Sequence, residues 1–332
     1  MNKICPVFIC GHRKSGTTLF RNLLDGHPEL LVYPVDINLL YAYFPDYIIN
    51  NNSEDKLIER LKKILFIDLN EQLSSEDKDS LLNVLDLEKY FFKDFDYSKL
   101  KDLNYIINKL IFSYSNIIKK KYSKNIKLTP VLKETSIEIY ANEILSWFPN
   151  AKFLHIVREP KDNFAALKAG VKNYYSKLGE NEKETLASTI NRARLGMEYG
   201  LLNILRFGND KYKIIRFEDL VNDPYNTLTS ICIFLNISFN EKLFTPLRLD
   251  RPTQGNSFDK STKFKSISNK HVDKWKDRIS EKEAQIIEFY FKDVMEKYGY
   301  SINYPIDELA DSTSDFYKWY NYRYFFRDRF KE

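Results

Sequence analysis

Cysteine is scarce in this chain, with 3 in 332 residues, no CxxC pair and no spacing suited to a metal. Cys5, Cys10 and Cys232 build no disulfide framework, and Cys10 and Cys232 fall in apolar segments, which points to reduced, buried thiols. No apolar run approaches the ~18 residues that a spanning helix needs, so no membrane span is expected. The first apolar strand begins within about six residues of Met1, with no leader or anchor ahead of it, and a cytoplasmic location is expected. Charge of one sign is missing too. The 51 Lys and Arg against 46 Asp and Glu leave a net +5, too mild for a nucleic-acid binder but suited to an anionic ligand. Repeats and low-complexity tracts are absent, and 43% hydrophobic with 29% charged residues is ordinary globular composition.

What is present is organised around Pro6 to His27, PVFICGHRKSGTTLFRNLLDGH. Val7, Phe8, Ile9 and Cys10 are strand formers that stop at Gly11. A loop of small and basic residues, His12, Arg13, Lys14, Ser15 and Gly16, follows. From Thr17 and Thr18 onward, Leu19, Phe20, Leu23 and Leu24 share one helical face. Strand, loop and helix in this order bind phosphate, because helix-start amides and the helix dipole both favour an anion. The triphosphate-binding version puts Lys and then Ser or Thr directly after the second glycine. Here Thr17 and Thr18 occupy those places and Lys14 lies inside the loop.

RKSGTTL resembles the 5′-phosphosulfate loop of the P-loop sulfotransferases that use PAPS (3′-phosphoadenosine 5′-phosphosulfate). A second block, LKETSIEIYANEILSWFPNAKFLHIVREPKDN, resembles that family's pattern of a Lys-Thr segment, a helix, a Phe-Pro turn and a strand leading to Arg-x-Pro. A third, IIRFEDLVNDPYNTLTSICIFLNI, is similar to its Arg-Tyr-Glu-Asp-Leu block, with Phe217 in place of the tyrosine. The resemblance spans roughly residues 6 to 300. It implies an α/β fold, a P-loop-type parallel β-sheet flanked by helices with a helical insertion after the second strand. One domain is expected over 1–332, with 37–125 as a helical cap and 301–332 as an aromatic-rich tail.

The same resemblance implies roles. Amides of Ser15, Gly16, Thr17 and Thr18 would hold the 5′-phosphate, Arg13 would line the cofactor site, and Lys14 would offset charge on the leaving group. Arg158 would bind the 3′-phosphate, where a guanidinium offers paired donors. The family's serine eight residues further on is Ala166 here, with Lys168 or a backbone amide as the substitute. Phe217 would border the adenine, and Arg251, Gly255, Asn256 and Ser257 would belong to a loop folding over the nucleotide. Asp36 aligns with the family's glutamate base, one methylene shorter; His12 is the second candidate and Glu134 the third. Lys133 faces the same cleft. No metal is required.

The expected reaction is sulfuryl transfer from PAPS to an acceptor hydroxyl or amine, releasing 3′,5′-ADP. Carbohydrate, small alcohol or lipid, and protein tyrosine all remain open as acceptors. The alternatives are a P-loop kinase, disfavoured because no lysine follows Gly16, and a non-catalytic nucleotide-binding relative. For strands the sequence predicts Leu30 to Tyr33 closed by Pro34, and Ile118 to Lys127 as a solvated connection. One long helix is expected to carry Leu186, Ile190, Ala193, Met197, Leu201 and Ile204. The aromatic tail is read as packing on its own domain or on a second copy in a homo-oligomer, with sugar stacking or membrane contact as alternatives.

Overall fold

The computed structural model describes residues 5–40, 54–73, 82–122, 128–172, 174–178, 181–253 and 266–305. Five strands form the main sheet: β1 (Val7–Cys10), β2 (Leu30–Asp36), β3 (Thr129–Lys133), β4 (Lys152–Val157) and β5 (Tyr212–Arg216). Their order is β2-β3-β1-β4-β5 and every pairing is parallel. Parallel strands need crossover connections, and those helices bury both faces, which is why the strands read as near-continuous apolar runs.

β1 lies at the centre, and its alternation divides the core. Val7 and Ile9 face helix α1 (Thr17–Leu24) and meet Phe20, Leu23 and Leu24. Phe8 and Cys10 face the other side. There Phe8 stacks on its register partner Phe153 at 5.6 Å, and Phe153 on Tyr212 at 5.5 Å. Each such fully buried ring contributes roughly 1.5–3 kcal/mol, so this three-strand ladder fixes the register of the strands that carry the site.

β2 does not stop at Pro34 but runs through it to Asp36. It is an edge strand, where a missing N–H costs no ladder bond, and its register with β3 shifts between Val32 and Asp36. That shift brings Asp36 level with Lys133. Helices α2 (Glu54–Lys62), α3 (Val84–Phe92) and α4 (Leu103–Tyr122) cover this side of the sheet. Their Leu57, Leu61, Phe91, Ile106 and Leu110 share one core with Tyr33 and Leu132. Tyr114 donates to the Val32 carbonyl at 2.9 Å and ties α4 to the edge strand. α4 also enters the basic run expected to be a solvated connection, since it extends to Tyr122.

α5 (Ala141–Trp147) leads into β4, and α6 (Pro160–Val171) leaves it behind the Glu159 cap. The long helix is interrupted: Glu182–Ser188 passes through a π turn, Thr189–Ala193, into α7 (Arg194–Phe207). α8 (Phe217–Asn222), α9 (Pro224–Leu235) and α10 (Glu281–Lys297) complete the layers. Buried Lys161 of α6 pairs with Glu288 of α10 and donates to Asn303 Oδ1 at 2.8 Å, which ties α10 and the segment after it to α6. Among the described residues no helix is long and apolar enough to cross a membrane.

Candidate active site

The chain leaves β1 at Cys10 and turns through Gly11–Gly16 into α1. Gly11 has φ 132°, and a Cβ there would lie 2.2 Å from the Ile156 carbonyl oxygen. Gly16 has φ 102°, and a Cβ there would lie 2.5 Å from the Phe217 ring. Both positions require glycine, for conformation and for room. Lys14 also has a positive φ, 65°.

Each carbonyl from residue 11 to residue 14 is bound. Gly11 O accepts from Ser136 N at 3.0 Å. His12 O accepts from Ser15 N at 3.1 Å and Ser15 Oγ at 2.5 Å. Arg13 O accepts from Asn163 Nδ2 at 2.9 Å, and Lys14 O from Arg158 Nη1 at 3.0 Å. With its acceptors occupied, the loop offers an anion Lys14 and the first-turn amides of α1, which have no carbonyl four residues back in the helix. The Ser15 amide is spent inside the loop, so the helix-start donors begin at Gly16 and Thr17 rather than at Ser15.

Cations converge here: Lys14 lies near Lys133, Arg158 and Arg13, with Asp36 on Lys133 and Asp162, Glu218 and Glu159 acting on Arg158. Burial, then Lys133, Arg158 and Arg13, push the Lys14 ammonium down to about 8. A bound anion would oppose that shift by favouring the charged ammonium. Arg158 lies 4.6 Å above the Phe217 ring and sends Nη2 to His271 O at 2.7 Å. Its outer nitrogens thus brace the loop and the 271 segment, while its buried Nε has no acceptor among the described residues. Phe217, expected beside an adenine, is buried between Gly16 and Arg158. Lys168 ion-pairs with Glu283 at 2.8 Å and Glu182 at 3.5 Å, so it does not stand in for the serine replaced by Ala166.

Of the three base candidates, the structure leaves one open to an acceptor. Asp36 is partly exposed; its Oδ1 receives the Lys133 ammonium at 2.5 Å. His12 is buried, with Nδ1 2.8 Å from Asn163 Oδ1, and burial, then Arg13 and Arg192, keep its imidazole neutral well below the usual range. It forms part of the loop wall. Glu134 is 1% exposed and its Oε2 accepts the amides of Leu39 and Leu40 at 3.1 and 3.2 Å, anchoring the chain after β2.

Arg251 is misplaced by the sequence reading. It belongs to a two-strand hairpin, Leu247–Arg248 with Arg251–Pro252, packed at the other end of α1, where Leu247 and Asp250 approach Gly26. Gly255, Asn256 and Ser257, like most of the tail, lie outside the described residues.

Two residues that sequence reasoning missed hold the loop. One is Asn163, on Arg13 and His12. The other is Glu138, fully buried, whose Oε2 accepts the Gly11 amide at 3.2 Å. Burial lifts Glu138 to about 7. Cys10 Sγ, a Glu138 oxygen and a His155 ring nitrogen lie within 4.8 Å of one another, and Tyr212 Oη is 2.9 Å from His155 Nδ1. No local signal marks either residue, because their partners are 150 and 127 positions away.

A model of the sulfotransferase family matches residues 6–241, a span that contains the loop, Asp36, Lys133 and Arg158. Among solved structures, the sulfotransferase domain from the curacin biosynthetic pathway is 22% identical with a TM-score of 0.54, covering 90% of this chain and 99% of that one. The sulfotransferase domain from the Synechococcus PCC 7002 olefin synthase is 20% identical with a TM-score of 0.52, covering 91% and 98%. Both likenesses are of fold. No curated protein matches the sequence. The family match covers the loop, Asp36, Lys133 and Arg158 and most of the chain: the chain belongs to the sulfotransferase family, enzymes that move a sulfuryl group to an acceptor.

Proposed function

We propose that this sulfotransferase takes its sulfuryl group from PAPS, delivers it to an acceptor hydroxyl or amine, and releases 3′,5′-ADP. The observation that carries this reading is the loop whose carbonyls from 11 to 14 are all bound while Lys14 sits close to three further cations, Lys133, Arg158 and Arg13. That arrangement fits a phosphosulfate group, which brings negative charge and acceptor oxygens only. The buried Arg158 Nε supports the nucleotide's 3′-phosphate at the far side of Phe217, and Ala166 supplies no hydroxyl there.

PAPS, when bound, supplies an activated sulfuryl group on a phosphate leaving group. The chain's residues then position and neutralise. First-turn amides of α1 and Lys14 hold the phosphosulfate end, and Lys14 offsets charge that develops on the leaving oxygen. Asp36 takes the acceptor proton, with Lys133 holding its Oδ1 so that the second oxygen meets the acceptor. The acceptor is a carbohydrate, a small alcohol or lipid, or a protein tyrosine, and the α2–α4 layer beside Asp36 would shape the choice.

Calorimetric titration with 3′,5′-ADP in chelator tests the reading on wild type, Lys14→Ala and Arg158→Ala. Binding by wild type that weakens at least tenfold in both variants is expected. A folded wild type that binds no 3′,5′-ADP overturns it.

A further inference from the structure

Lys14 holds a left-handed backbone conformation, φ 65°, that a lysine avoids unless its surroundings impose it. Rotating the peptide between Arg13 and Lys14 by half a turn would relieve that φ. It would also swing the Arg13 carbonyl oxygen to the side where an anion binds. What opposes this rotation is the bond from Asn163 Nδ2 to Arg13 O, 2.9 Å. Asn163 is 2% exposed and sits in the first turn of α6, so the bond is made from a rigid support.

The other half of the Asn163 amide defines the chemistry of His12. A backbone carbonyl only accepts, so the group facing Arg13 O is the NH2, and Oδ1 faces His12 Nδ1 at 2.8 Å. Oδ1 only accepts as well. Nδ1 therefore carries the hydrogen, and since the buried ring is neutral, Nε2 carries a lone pair. Nε2 is buried with no partner among the described residues. A bare Nε2 gives no proton to an anion, which leaves the amides and Lys14 as the donors.

We infer that Asn163 is a positioning residue for sulfuryl transfer: it fixes the Arg13–Lys14 peptide with its carbonyl turned from the anion and locks His12 as the Nδ1–H tautomer. This rests on the phosphosulfate reading of the loop. It assigns a role in donor binding to a side chain that touches no reacting atom.

The test pairs nitrogen-15 histidine NMR with binding of 3′,5′-ADP, on wild type, Asn163→Leu and Asn163→Ala, with thermal melts to establish folding. In the wild type, His12 should show Nδ1–H and a bare Nε2. In a folded variant the ring should shift toward Nε2–H, affinity for 3′,5′-ADP should fall about tenfold, the worth of one well-made hydrogen bond, and the KM of the acceptor should stay within about twofold. Two variants guard against one failing to fold. Wild-type His12 protonated at Nε2, or a folded variant that binds 3′,5′-ADP as wild type does, overturns the inference. Absence of nucleotide binding by the wild type defeats the phosphosulfate reading instead, while the His12 tautomer still decides whether Asn163 sets the ring.

Discussion

Asp36 and Lys133 are register partners at the ends of β2 and β3, and the Lys133 ammonium donates to Asp36 Oδ1 at 2.5 Å. Lys133 is buried, and burial draws its ammonium down from the usual range while Asp36 opposes that shift. The lysine thus needs the carboxylate for charge balance, and the carboxylate is held in one orientation by the lysine.

If Asp36 is the base, Asp36→Asn removes the proton acceptor but keeps an oxygen for Lys133. Turnover should fall by ~10² to 10⁴ while affinity for 3′,5′-ADP stays near wild type. Single-turnover kinetics with PAPS and calorimetry on the same preparation check the two halves. Loss of less than about tenfold in turnover sinks the assignment, since that is below the usual worth of a general base.

Donor affinity should depend on pH through Lys14. Its ammonium ionises at about 8 in the free protein because burial and three cations disfavour the charge. Anion binding needs that charge, so affinity is full below this value and falls as pH rises through about 8. Stability moves the other way: between about 8 and the ordinary lysine range the unfolded chain binds more protons, so unfolding becomes harder as pH rises. Lys14→Met should weaken binding at pH 7 and flatten its dependence between pH 7 and 9, measured by titration with 3′,5′-ADP.

Gly16→Ala isolates the loop's geometry from its charge. The substitution places a Cβ 2.5 Å from the Phe217 ring at a backbone φ of 102°. Strain of this kind costs about 1–3 kcal/mol, and Phe217 cannot yield without disturbing Arg158 above it. The melting temperature should drop by several degrees and 3′,5′-ADP binding should be lost. Unchanged melting and binding would show that the loop tolerates a side chain here.

Much of this site could be read from sequence because its elements are local. Val7 to Cys10 stop at Gly11, and Thr17 opens the helix, so the loop announced itself. Arg158 was legible as the residue leaving an apolar strand, but not its hold on Lys14 O and His271 O. Those partners come from folding. β2 was drawn too short because Pro34 reads as a breaker unless the strand is known to lie at the sheet edge. The π turn at Thr189–Ala193 leaves the apolar stripe of its helix intact and so left no mark on the periodicity. Arg251 looked like a nucleotide ligand by its neighbours in sequence, yet its hairpin is delivered to the far end of α1. Asn163 and Glu138 hold the backbone groups of Arg13 and Gly11, which carry no residue identity for a sequence to show, and the Asn163 contact with the His12 ring spans 151 positions.

Glu138 gives the last prediction, and its sign can be worked out. Burial raises its carboxyl from 4.5 to about 7, so between those values the folded protein binds a proton that the unfolded chain does not. Its contribution to stability therefore falls as pH rises from about 4.5 to 7 and levels off above, where the ionised buried carboxylate costs about 3 kcal/mol. Glu138→Gln keeps an oxygen for the Gly11 amide and removes the titration. The variant should be more stable than wild type at pH 8 by roughly 1–3 kcal/mol, with a smaller difference at pH 5. Glu159, lifted by burial to about 7 as well, titrates in both proteins and cancels from the comparison. Urea unfolding of the pair at the two pH values reads this directly. A variant no more stable at pH 8 than at pH 5, relative to wild type, would mean that the Glu138 charge is balanced in the core, where Arg192 favours the ionised form.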